Sequence, residues 1–397
     1  MSRPALELAD IVRHYGPAYQ QTHRLPWHQR ALLRAIEICR TAALGGHLEQ
    51  CSHCSHQRIS YNSCRNRHCP KCQSLARARW IEQRKAELLP VEYFHVVFTV
   101  PEKIAAIAFH NKKLVYSILF RTAAETLLTI AGDAKHLDAR IGFFAILHTW
   151  GQNLLHHPHL HCVVPGGGFS EDHQRWIGCR AGFFLPVRVL SRLFRRLFLE
   201  ALRKAHRKGQ LQFFSELAPL HEAAAFARYL HSLGQIEWVV YAKPPFGGPR
   251  QVLEYLGRYT HRVALANERL VSMDNDEVSF RWKDYRHRNR QQCKTLTLAA
   301  EEFLRRFLLH ALPSGFQRIR YFGWLANRHR KQRLEQARRL LGAAAAVTEW
   351  LPEASSKTLA LITDSLQRCP RCGIGTLIRT PLRKPGCLAT PAYLDSS

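Results

Sequence analysis

His157-Pro158-His159-Leu160-His161-Cys162-Val163-Val164-Pro165, closed by Gly166, Gly167 and Gly168, is the stretch on which the reading of this chain turns. Side chains alternate along a strand, so His159 and His161 fall on one side while Leu160 and Cys162 face the other layer. Two imidazoles on one side of a rigid strand form half of a divalent-metal site, and the Leu-Cys-Val-Val side gives the strand a buried face. A lone His on a strand is more often a surface or satisfied core residue, so the pair gains its meaning from the rest of the chain. The glycines allow a sharp turn or a close backbone approach; as a phosphate loop they are weak evidence.

Outward from this strand, the β pattern recurs. Tyr93 to Val100 is rich in β-branched and aromatic residues and is stopped by Pro101, and Phe143 to Trp150 reads the same way. His148 sits in the second of these, close enough in sequence to His159 for the two strands to be antiparallel neighbours. Trp238 to Ala242, Val278 to Trp282 and Thr295 to Leu298 read as further strands. Helical patterns cover Ala5 to Leu44 with a break at Pro26, Ile104 to Ala131, Leu190 to Ala205, Glu301 to Leu312, and a run ending at Leu341. Gln251 to Arg262 reads as a helix in which Tyr255 and Tyr259, four apart, share a face. Tyrosines at that spacing usually pack.

Composition narrows the function. The chain has 397 residues, 46% hydrophobic, enough for two or three domains with a sizeable core. Its net charge of +28, from 58 basic and 30 acidic residues, points to a polyanion partner, nucleic acid first. No unbroken apolar run reaches the roughly 18 residues of a membrane span, and Met1 to Glu7 lacks the apolar core of a signal peptide. A cytoplasmic protein is expected. Its twelve cysteines would then be reduced, and the paired ones read as metal ligands.

Cys51-Ser-His-Cys54 and Cys69-Pro-Lys-Cys72 are two such pairs. Four thiolates close a tetrahedral Zn²⁺ site with no open position, which suits a structural role. Cys64, His68 and His47 are surplus ligands that could displace one of the four or build a second site. A third pair, Cys369-Pro-Arg-Cys372, has only Cys387 beside it and needs a ligand from elsewhere. Arg318, Arg320, Arg328 and Arg330 crowd around Tyr321, Phe322 and Trp324, a mixture suited to single strands, where cations follow phosphates and rings stack on bases.

Together these segments resemble the two-tyrosine transposases of rolling-circle insertion sequences, the insertion sequence 91 family. The resemblance rests on Ser63 to Gln73 within the cysteine segment, on Leu147-His-Thr-Trp150 leading into His157 to His161, on Tyr255-Leu-Gly-Arg-Tyr259, and on His310 to Arg320. It implies an α+β fold: an antiparallel-sheet His-hydrophobic-His nuclease core with helices on one side, preceded by a small zinc-binding domain. Domains are expected at 1–90 (helical and zinc-binding), 91–325 (catalytic) and 326–397 (basic, with the last cysteine pair).

The resemblance also implies that His159 and His161 hold Mg²⁺ or Mn²⁺, with Gln152, His148 and His95 as candidates for a third ligand, and that Tyr255 and Tyr259 are nucleophiles. Single-stranded DNA at the element ends and at a target site would be the partner. A non-catalytic zinc-dependent nucleic-acid binding protein and a replication initiator with the same nicking chemistry are the competing functions.

Overall fold

The structure, a computed structural model, describes residues 6–72, 80–81, 84, 87–243, 251, 263–284, 292–342 and 368–382. Tyr255, Tyr259 and Cys387 lie outside the described residues.

The centre is a five-stranded antiparallel sheet in the order β12-β4-β5-β3-β8, built from β3 (Tyr93–Thr99), β4 (Gly142–Trp150), β5 (His156–Pro165), β8 (Val240–Lys243) and β12 (Ile319–Gly323). Strand alternation divides its side chains between two faces. Phe94, Val96, Phe98, Phe143, Ala145, Leu147, Leu160, Cys162 and Val164 all join one large apolar core. Tyr93, Phe144, Ile146 and Val163 form a separate cluster on the other side, and by alternation His95, His148, His159 and His161 share that face.

Helices cover the first face. α3 (Glu102–His110), α4 (Lys112–Gly132) and α5 (Val187–Arg207) contribute Ile104, Ile107, Leu119, Phe120, Leu127, Leu190, Phe194 and Phe198 to the core beneath the sheet. The single helical pattern from Ile104 to Ala131 is in fact two helices. Asn111 breaks it by donating from Nδ2 to the carbonyls of Ile107 (3.0 Å) and Gln212 (2.8 Å) and accepting from the Gln212 N–H (2.8 Å). α4 is the only helix among the described residues long and apolar enough to cross a membrane. No unbroken apolar run exists there because Arg121 and Glu125 interrupt it. Val115, Tyr116, Leu119, Phe120, Ala123 and Leu127 are buried in the protein core, which accounts for the apolarity.

A second layer flanks the β4–β5 hairpin. α1 (Leu8–Thr22), α2 (Trp27–Glu37) and α7 (Ala300–Leu309) share a core with the three-stranded sheet β9 (Leu270–Asp274), β10 (Glu277–Asp284) and β11 (Gln292–Ala299). Trp150 and Leu154, at the tip of the hairpin, insert into that core. His310, fully buried behind α7, fixes the same tip: its Nδ1 lies 3.2 Å from Thr149 Oγ1 and its Nε2 3.0 Å from the Leu154 carbonyl. The end of the hairpin that carries His148 and His159 is thus anchored in the second layer.

Gly166 to Gly168 turn out to be a packing device. Gly167 has φ +151°, and a Cβ there would lie 2.5 Å from the Ile177 carbonyl oxygen of the β6–β7 ribbon (Gly167–Phe169 and Trp176–Gly178). A third small sheet, β13-β1-β2, joins β1 (Gly46–Cys51) and β2 (Gln57–Tyr61) to β13 (Leu377–Leu382). The pairing Gly46↔Leu382 through Cys51↔Leu377 therefore brings part of the expected 326–397 region onto the expected 1–90 region.

Candidate metal centre and thiolate clusters

Register places the first group. In the β4–β5 pair His148 lies opposite His159 and Ile146 opposite His161, so one strand contributes two rings to one face and its neighbour a third. The ring centroids of His148 are 5.5 Å from His159 and 4.4 Å from His161, and those of His159 and His161 are 4.9 Å apart. One nitrogen from each ring lies within 4.8 Å of the others. Nitrogens bound to a single first-row ion at about 2.1 Å stand roughly 3–4 Å apart, so three imidazoles gathered within 4.8 Å can close on one ion with small ring shifts. Of the three candidates for a third ligand, His148 is the one standing with the pair. Gln152 sits in the hairpin connection, where its carbonyl accepts from Arg269, and His95 lies behind His161.

The neighbours set the ring orientations. His159 Nδ1 is 2.7 Å from the His157 carbonyl, so it carries the proton and the lone pair resides on Nε2. His95 Nε2 and His161 Nδ1 are 2.8 Å apart with the rings stacked at 4°. Such a partner fixes a ligand's tautomer and direction. His148 stacks on Trp150 at 4.8 Å. His95, His148 and His161 are buried and His159 half-buried, so the group opens toward His159. Nearby His156 is different. Its ring is satisfied by the Tyr116 hydroxyl (2.7 Å) and the Ala105 carbonyl (3.1 Å), and burial, with Lys112 close by, holds its pKa down to about 3.

The cysteines form two groups rather than one. Cys51, Cys54, Cys69 and Cys72 do not converge: Cys69 and Cys72 stand with Cys39 and Cys64, whereas Cys51 and Cys54 stand with Cys369 and Cys372. In the first group the Sγ separations are 3.4 Å (Cys39–Cys72), 3.5 Å (Cys64–Cys72) and 3.6 Å (Cys39–Cys69). In the second they are 3.7 Å (Cys51–Cys372) and 3.8 Å (Cys54–Cys369). The division follows from the strands, since the β1–β13 pairing delivers the last knuckle to the first. His68 joins neither group. It is buried, accepts the Leu312 N–H at 3.4 Å, and burial followed by the Arg318 charge holds its pKa down to about 3. Cys39, a ligand candidate here, looks in the sequence like one more apolar position continuing the spacing of α2, just past its end; contact with Cys64 and then Cys69 lowers the pKa of its thiol.

The arginines divide between the faces. Arg318 is buried, and burial pushes its pKa down to about 10, which removes it from the open surface that a phosphate would reach. Arg320 lies over Phe120 (4.3 Å) and Phe316 (5.0 Å), on the helix side of the sheet. Arg330 instead lies 4.6 Å from the Tyr321 ring, on the imidazole side, beside Arg84, which donates to the Tyr321 hydroxyl at 2.5 Å. Arg328 is exposed between β12 and α8 (Arg330–Leu340). Trp324 is buried against Phe169 and Trp176 and offers no ring to a base. Arg84 went unnoticed in the sequence because no motif surrounds it.

Comparison with known proteins gives the same regions. Residues 11–100 match a family model described as a transposase zinc-binding domain, and residues 142–333 match one described as "Putative transposase". "Putative transposase y4qJ" of Sinorhizobium fredii (strain NBRC 101917 / NGR234) is 62% identical over 401 residues, covering 100% of both chains. "Transposase for insertion sequence element IS801" of Pseudomonas savastanoi pv. phaseolicola is 30% identical over 310 residues, 75% of this chain and 72% of that one. With its antiparallel α+β core and its zinc-binding domain, the chain belongs to the insertion sequence 91 family of transposases.

Proposed function

We propose that this transposase nicks and rejoins single-stranded DNA through 5′-phosphotyrosine links made by Tyr255 and Tyr259, beside a divalent ion held by His148, His159 and His161. The observation that carries the reading is the three-imidazole group on the sheet face opposite α4 and α5. An all-nitrogen donor set suits a first-row transition ion better than Mg²⁺, which prefers oxygen, so Mn²⁺ is the ion to test. A bound ion would polarise the scissile phosphate and stabilise the charge developing on its oxygens.

The chain's own groups do the rest. A tyrosine hydroxyl has a pKa near 10, so about a thousandth is phenolate at neutral pH and the nucleophile needs help from its surroundings. Its oxygen attacks phosphorus, the bond from phosphorus to the 3′ oxygen breaks, and that oxygen takes up a proton. The 5′ side stays on tyrosine. One phosphoester replaces another, so no nucleotide is consumed, and attack by a different 3′ hydroxyl rejoins the strands. A second tyrosine lets another strand be cut while the first is held. His95 keeps the His161 ring in place through the 2.8 Å contact, and Arg84, Arg328 and Arg330 follow the phosphates. Thiolate-bound zinc is structural here, and reduced thiols and DNA together fit a bacterial cytoplasm.

Labelled single-stranded DNA bearing the ends of the element, incubated with protein and Mn²⁺, should yield a covalent adduct that chelator prevents. Salt-sensitive binding with no adduct would favour a non-catalytic binding protein. Nicking without joining of ends to a target would favour a replication initiator.

A further inference from the structure

The second cysteine group draws its members from opposite ends of the described chain: Cys54 and Cys369 are 315 positions apart. Nothing in the matched zinc-binding segment, residues 11–100, includes Cys369 or Cys372. We infer that the protein binds two structural zinc ions in separate four-thiolate sites, and that the second ion joins the Cys51/Cys54 knuckle to the Cys369/Cys372 knuckle.

The distances select the ligand. Zinc–sulfur bonds of about 2.3 Å in a tetrahedron put sulfurs about 3.8 Å apart. The observed 3.7 Å and 3.8 Å match that edge, whereas a disulfide would need about 2.05 Å. A cluster of several irons would hold its thiolates wider than one ion does, and the described cysteines are all unbridged.

The backbone is arranged for thiolate in both knuckles. Cys51 Sγ accepts the N–H groups of His53 and Cys54, each at 3.3 Å. Cys369 Sγ accepts from Arg371 and Cys372 Sγ from Gly375, each at 3.4 Å. Donors aimed at sulfur favour the charged form that binds metal.

The packing around the group is built for closure as well. A Cβ on Gly375 would overlap Cys51 Sγ and lie 2.9 Å from the His53 nitrogen, so the two knuckles meet where only glycine fits. Ser52 and Thr376 are bonded at 2.9 Å and 3.0 Å, and β13 pairs with β1 over six positions. Buried Glu49 takes Arg58 of β2 on one oxygen (2.6 Å) and Arg379 of β13 on the other (2.9 Å). The C-terminal strand is therefore an integral part of the N-terminal unit, and the central sheet lies within a loop that the second ion closes.

The test counts zinc. In a His159→Ala/His161→Ala background, which keeps the imidazole centre from contributing, the purified chain should hold two zinc ions. Adding Cys369→Ser with Cys372→Ser should leave one, as should Cys51→Ser with Cys54→Ser. One zinc in the parent, two retained in the Cys369/Cys372 variant, or iron in place of zinc would overturn the inference. If those variants do not fold, alkylation of the native chain decides. Cys51, Cys54, Cys369 and Cys372 should resist a thiol reagent that modifies exposed Cys293, and should become reactive together as chelator is raised. Modification of Cys369 and Cys372 at the rate of Cys293 in zinc-loaded protein would also overturn it. None of these readouts depends on DNA cleavage, so the proposed nicking chemistry stands or falls separately.

Discussion

The imidazole centre and the thiolate groups are metal-competent in different ways. His148, His159 and His161 are positioned by the β4–β5 register, come from one hairpin, and open toward half-buried His159. The cysteines are gathered from separated segments, four at a time, with N–H groups aimed at the sulfurs of the second group. Three nitrogens on a rigid sheet leave room for a substrate oxygen, whereas four sulfurs leave none. The sheet would exist without a metal. The knuckles enclose little apolar surface: among the described residues, Cys51, Cys369 and Leu377 form the buried cluster around the second group, with Cys54 and Cys372 packed against it.

That contrast predicts where metal loss shows as unfolding and where as lost chemistry. The largest effect belongs to Cys69→Ser. Cys69 is part of the core shared by α1, α2 and α7, and structural zinc is worth on the order of 10 kcal/mol of folding free energy in small domains. Thermal unfolding should shift strongly, with zinc lost from the first group. His159→Ala should do the opposite, cutting adduct formation about a thousandfold, the equivalent of several kcal/mol of charge stabilisation. Its thermal midpoint should stay near that of the parent. A large unfolding shift in His159→Ala, or none in Cys69→Ser, would break the comparison.

Smaller effects sharpen it. His95→Ala removes the partner of His161, and should weaken Mn²⁺ binding about 10- to 100-fold while excess Mn²⁺ restores cleavage. A merely structural His95 would lose activity that no amount of metal recovers. The least effect is expected at the arginines. Arg330→Ala should reduce the salt slope of single-strand binding by about 0.7, as one lost phosphate contact does. Arg320→Ala, on the helix side, should change that slope less; equal slopes would mean that DNA contacts both faces.

Much of the central sheet could be read from local pattern. β3, β4 and β5 follow from runs of β-branched and aromatic residues, and period-two alternation alone puts His159 with His161. His148 could not be chosen as the third partner, because the register His148↔His159 is a relation between strands. The cysteines expose the same limit more sharply. Spacing identifies each knuckle, but the partner of Cys51/Cys54 depends on β13 pairing with β1 across most of the chain. Cys39 continues the apolar spacing of α2 just past its end, and only the fold brings it to Cys64, Cys69 and Cys72. The basic and aromatic segment from Arg318 to Arg330 reads in sequence as one binding surface. Part of it is an edge strand, so alternation sends Arg318 and Arg320 to one side and Tyr321 to the other.

Under the proposed function, Tyr255 and Tyr259 form the covalent link to DNA. Trypsin separates the two residues, since cleavage after Arg250, Arg258 and Arg262 yields Gln251 to Arg258 with Tyr255 and Tyr259 to Arg262 with Tyr259. Mass spectrometry of the adduct formed with Mn²⁺ and element-end single strands should find nucleotide on one or both of these peptides. It should find none after Tyr255→Phe with Tyr259→Phe, with DNA binding retained. Nucleotide attached to any other peptide, or an adduct that persists in the double variant, would contradict the account.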